Sequence, residues 1–308
     1  MLLWLVWCLM QPGAPGDADA VNRPPVLYAL VFGVPHVVAS FFAFGNRRLA
    51  QACWRPLALG FFSAATVVAL MFLWLDDQLQ FGLMIVLTLL HVVGQQTGLA
   101  IGQAGLARAG GRRWLRAAAA LWKVLLGLLA CATALAVGGE SLSGPVIPAA
   151  PALQVAGWAL CASTPLAGAL GWAARRQGGD VRAMLAMQAT VTVAYGLVMA
   201  GQAWLGVLLL RWTHDGTAFV LYGALAVAED RRCPSANPLW AWLHRCGWRA
   251  STRAALILTC IWPLAIALTL VLLLLPTWLG TTLVLAHYFA EPALWRKGSA
   301  LRQALPLR

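Results

Sequence analysis

The chain has 308 residues, of which 61% are hydrophobic and 10% charged; 22 Lys and Arg outweigh 10 Asp and Glu, for a formal net charge of +12. About a quarter of a soluble domain is charged, so this composition excludes a water-coated globule. The positive balance does not describe a nucleic-acid-binding protein either. Its arginines fall in short clusters between apolar segments, where they set orientation and meet anionic membrane lipids.

Apolar stretches of roughly 20 residues recur along the whole length, as crossing a hydrocarbon core of about 30 Å requires. The expected fold class is all-α: a polytopic transmembrane helix bundle of about nine segments, occupying residues 27–295 as one domain. Residues 1–26 form a short interfacial or signal-like element, since LLWLVWCLM is too short to span and no basic residues precede it. Residues 296–308 form a basic cytoplasmic tail.

In chain order the expected spans begin with 27–44 and 56–75, the second ending at Asp76 and Asp77. The third covers 81–102 and the fourth 117–137, separated by Arg108, Arg112, Arg113 and Arg116. The fifth covers 152–174 and closes on Arg175 and Arg176. A sixth over 185–210 is expected to break at RWTHDG before a short seventh at 216–228. After Arg231, Arg232, Arg245, Arg249 and Arg253, an eighth covers 255–276 and a ninth 280–294. Loops after the odd-numbered spans carry nearly all the Arg and Lys, with Arg211 the exception, and this alternation places the amino terminus outside and the carboxyl terminus in the cytoplasm. Trp54, Trp114, Trp212, Trp278 and Trp295 lie at expected segment ends, at the depth of the headgroups.

The seven cysteines show neither zinc-like spacing nor a disulfide framework. Cys233, His244 and Cys246 share one loop but lack the expected partner spacing for a metal site. Lys123 is placed to snorkel from the fourth span, Gln188 and Gln202 to line a cavity or join helices, and Trp262–Pro263 to kink the eighth.

The histidines carry the functional argument. His36, His91 and His287 lie near the middle of the first, third and ninth spans, and His214 lies beside Asp215 at the outer end of the seventh. Gln95 follows His91 by four residues and Glu291 follows His287 by four, so each pair shares a helical face. Polar groups at membrane depth are costly and face the bundle interior or a wet cavity. Imidazole is a common ligand for iron, copper or zinc. The candidate metal ligands are thus His36, His91, His287 and His214, with Glu291 as ligand or orienting group and Gln95 or Tyr288 positioning dioxygen or water. Pairing of Glu291 with Arg296 would compete with the ligand role. Two axial histidines would also serve haem b, although no CxxCH is present for covalent attachment.

Pro35–His36, His91 with Gln95 and Gly98, and His287–Tyr288 with Glu291, Trp295 and Arg296 are similar to segments of uncharacterised bacterial polytopic proteins that end in HYxx(D/E)xxxWR. More distantly, the pattern resembles the Brp/Blh-type membrane carotenoid cleavage dioxygenases. That resemblance implies histidine-bound non-haem iron, dioxygen and an apolar polyene substrate. This chain has Glu291 where a second late histidine would be expected.

These features together lead to the expectation of a multi-pass oxidoreductase of the bacterial inner membrane, acting on a lipid-soluble isoprenoid, carotenoid or fatty-acyl group. A transporter or channel with a histidine-lined pathway, or a non-catalytic assembly protein, would use the same residues differently.

Overall fold

The computed structural model describes residues 28, 33–44, 47–106, 113–141, 149–233, 237–272 and 274–294, and the described residues form helices joined by short turns. In order these are α1 (Val34–Phe44), α2 (Arg47–Trp74), α3 (Asp77–Gln103), α4 (Arg113–Ser141), α5 (Ala149–Arg175), α6 (Arg182–Met199), α7 (Ala203–Arg232), α8 (Pro238–Arg245), α9 (Ala250–Leu272) and α10 (Thr277–Leu294). The expected N-terminal element, basic tail and Glu291–Arg296 pair lie outside the described residues.

Among the described residues, six helices, α2 to α6 and α9, are long and apolar enough to cross a membrane. Their outer faces carry bare apolar side chains, among them Leu73 at 76% and Trp158 at 70% exposure. Lipid tails, rather than water, are the natural surroundings for such a surface. α7 is the longest at 30 residues, about 45 Å at 1.5 Å per residue. It falls outside the apolar class because it carries Arg211, His214, Asp215 and a charged end.

The main departure from the sequence expectation lies in this helix. RWTHDG is not a break but part of α7. His214 and Asp215 are fully buried there. A polar run stays helical at membrane depth when its side chains find partners inside the protein. The true break lies earlier, at Gly201, which adopts φ +73°. Gln202 N donates to Leu197 O and Gly201 N to Val198 O, the paired bonds of a glycine-terminated helix end. α5 ends the same way at Gly178. Trp212 consequently sits in mid-helix, packed with Tyr28 and Leu208 rather than at an interface.

Helix packing puts α7 at the centre, in contact with α1, α3, α4, α6 and α9, while α10 lies along α2 and touches α1 and α3. The α2–α10 approach depends on Gly60, where a β-carbon would come within 2.9 Å of the Ala290 backbone nitrogen. Gln188 joins helices: it accepts from Trp122 of α4 and donates to Ser163 and Thr164 of α5.

At the arginine-rich end, Arg253 of α9 reaches both oxygens of Asp230 of α7 at 3.1–3.2 Å and also donates to Trp248 O. Both charged side chains are buried. Removing either partner strands the other charge, so Asp230→Ala and Arg253→Ala should each cost about 3–5 kcal/mol. The double substitution should cost less than their sum, read as thermal unfolding in detergent.

Candidate metal centre

Four helices supply one imidazole each: His36 from α1, His214 from α7, His91 from α3 and His287 from α10. These helices touch in the cyclic order α1–α7–α3–α10, and the rings follow it. Ring centroids are 5.0 Å apart for His36–His214 and His91–His214, and 5.1 Å for His36–His287 and His91–His287. All four sequence-nominated histidines therefore converge. One ligand atom from each of His36, His91 and His214 lies within 4.8 Å of the others, and His91, His287 and Glu291 form a second set on the same terms.

For His36 and His287 the hydrogen bonds decide which nitrogen points inward. His36 Nδ1 lies 2.6 Å from Gly33 O and 3.1 Å from Asp215 Oδ1. A carbonyl can only accept, so Nδ1 carries the proton and Nε2 presents its lone pair. The hydrogen bond goes to Gly33, because Asp215 Oδ1 lies off the donor axis. Ser40 Oγ donates to Val37 O at 2.6 Å and lies 3.0 Å from His287 Nδ1. Its single proton is used on Val37, so it accepts from His287 and leaves that Nε2 bare as well. Nε2 of all four imidazoles is buried without a hydrogen-bond partner.

Glu291 faces this cluster. Gln95 Nε2 and Tyr222 OH both donate to its Oε1, which marks it as a carboxylate acceptor. Its Oε2 lies 2.9 Å from His91 Nε2 and 3.3 Å from His287 Nε2, although neither nitrogen makes a directed hydrogen bond there. With Nε2 of His287 bare, two electron pairs oppose each other at 3.3 Å. A cation between them removes the repulsion, and neutral imidazoles with a carboxylate are the donor set for a borderline metal ion. The residues present therefore fit a divalent transition metal.

Orienting contacts surround the set, of the kind that second-layer partners give metal-binding histidines. Tyr28 OH donates to Asp215 Oδ2 at 2.5 Å, and Arg211 NH2 lies 3.8 Å from the same oxygen. Tyr288 stacks on His91 at 4.2 Å between centroids, with its hydroxyl 3.1 Å from Thr88 Oγ1. The structure thus uses Gln95 to hold Glu291 and Tyr288 to hold His91.

A cavity of about 390 Å³ adjoins the cluster, reaching His91, Gln95, Tyr288 and Glu291 and extending along α3 to Gln103. By contrast, Cys233, His244 and Cys246 form no metal-holding group among the described residues, and His244 is exposed. Sequence reasoning assigned no role to Tyr28, Ser40, Arg211, Asp215 or Tyr222. Arg211 had left a signal as the charge that broke the loop alternation. Tyr28, Ser40 and Tyr222 left none, because hydroxyl groups are common in membrane helices.

Ser40→Ala and Tyr222→Phe each remove one orienting bond and leave the candidate ligands themselves in place. Each should weaken binding of Fe²⁺ or Co²⁺ by about 10–100-fold with unchanged helical content, measured by titrating metal-stripped protein. The chain matches no protein-family model, no curated protein and no solved structure, so its function has to be inferred from these residues.

Proposed function

We propose that the protein is a metal-dependent oxidoreductase of a bacterial cytoplasmic membrane, binding non-haem iron between α1, α3, α7 and α10 and oxidising a lipid-soluble substrate. The observation that carries this is the meeting of four buried imidazoles and one carboxylate in two ligand-competent groups that share His91, with every Nε2 lacking a hydrogen-bond partner. Four imidazoles plus a carboxylate exceed the three protein ligands usual for hydrolytic zinc.

Iron held there would supply the electrons for dioxygen chemistry. The chain's own residues fix the tautomers of His36 and His287 through Gly33 O and Ser40 Oγ, and Gln95 and Tyr222 hold Glu291 toward the cluster. Exposed Leu90, Gly98 and Pro292 line the adjoining cavity, which supports entry of substrate from the lipid. The resemblance to Brp/Blh-type dioxygenases supports the same chemistry, with Glu291 as the difference.

On this proposal α1, α7 and α10 cross the membrane with the six apolar helices, giving nine spans. The arginine alternation then sets the amino terminus outside and the carboxyl terminus in the cytoplasm. Helical spans belong to the cytoplasmic membrane, since outer membranes are built for barrels.

A transporter is favoured by one observation: a proton between His91 Nε2 and Glu291 Oε2 would also suit their 2.9 Å separation. Elemental analysis and the visible spectrum of purified protein separate the two. About one iron per chain, lost in His91→Ala and His214→Ala, is expected. Metal-free protein after expression with added iron would sink the oxidoreductase and leave proton transfer, and a Soret band would replace bare iron with haem.

A further inference from the structure

Lys123 of α4 is a charge that the bundle does not use. It is exposed, yet it lines the cavity that reaches the histidine cluster. Among the described residues it has no ion-pair or hydrogen-bond partner. Ten residues separate it from Arg113 at the helix start, about 15 Å along the axis. An ammonium at that depth in an apolar surface is costly unless an anion or water meets it.

The wall beside it is bare. Gly94, Gly98 and Gly102 recur every four residues on α3, so they form one stripe, and all three line the cavity. Such a stripe usually lets a neighbouring helix approach closely. Here a β-carbon on Gly98 would meet nothing within 4 Å, and one on Gly94 would meet only the Lys123 Cε at 3.8 Å. At Gly94 and Gly98 the stripe therefore borders open space instead of a helix. At its head stands His91, whose side chain is only 4% exposed and whose Nε2 lacks a hydrogen-bond partner.

Resting on the oxidoreductase assignment above, we infer that the substrate is an amphiphile with a carboxylate head, bound by Lys123, whose apolar chain lies in the glycine-floored cavity beside the histidine cluster. Lys123 stands level with Gly94, about one helical turn from His91. The carbons nearest the carboxylate consequently face Glu291 and His91, while the rest of the chain follows Gly98 and Gly102.

The test uses full-length protein in detergent, titrated with cis-parinaric acid, a fluorescent conjugated fatty acid, and with its methyl ester. Native protein should bind the acid at least tenfold more tightly than the ester. Lys123→Met should abolish that preference, and Gly98→Leu should remove binding of both. Metal content, measured on the same samples, should be unchanged in both variants because neither residue touches the cluster. Equal binding of acid and ester, or full binding by Gly98→Leu, overturns the inference. Displacement of the acid by equimolar phosphatidylglycerol also overturns it, by assigning Lys123 to bilayer phosphates. Metal-free protein that still shows Lys123-dependent binding of the acid supports the site while overturning the iron assignment alone.

Discussion

A lone pair buried in the middle of an apolar bundle is costly unless a proton, a cation or a trapped water meets it. The four Nε2 atoms and Glu291 Oε2 place that demand on one buried cluster, in two groups that share His91. Gly33 O and Ser40 Oγ take the Nδ1 protons of His36 and His287, so those rings cannot turn their own protons inward. The cluster is thus organised by acceptors, and the surrounding helices hold that arrangement in place.

The helix order follows from the same point. α7 contributes His214 and touches both α1 and α3, and α10 closes the ring by touching the same two helices. Gly60 lets α2 press against α10, which fixes the height of His287 and Glu291. The continuity of α7 is equally necessary. A break at Arg211–Gly216 would remove His214 and Asp215 from the register that brings them to His36.

Polar residues within the bundle serve three separate purposes. Gln188 with Trp122, Ser163 and Thr164 ties α4, α5 and α6 together, and Arg253–Asp230 ties α7 to α9. Gln95, Tyr222, Ser40 and Tyr28 orient the cluster or its carboxylates. Lys123 belongs to neither group. The cavity places it one turn from the cluster, where a small anion-headed molecule would meet both.

Composition and hydropathy by themselves determined the all-helical membrane class, because lipid contact demands long apolar runs that any window along the chain reveals. They also marked His36, His91, His214 and His287, since an ionisable group in such a run is conspicuous, and counting residues from a segment end gives its approximate depth. The i, i+4 pairs His91–Gln95 and His287–Glu291 were legible from helical periodicity. Depth alone does not say which helices are neighbours, and only the tertiary structure decided that four rings meet, that Gln95 reaches Glu291 across two helices and that Ser40 sets the tautomer of His287. The same gap misplaced the break in α7: RWTHDG reads as a loop when its polarity is judged against lipid, but its charged groups face the interior, where packing supplies their partners.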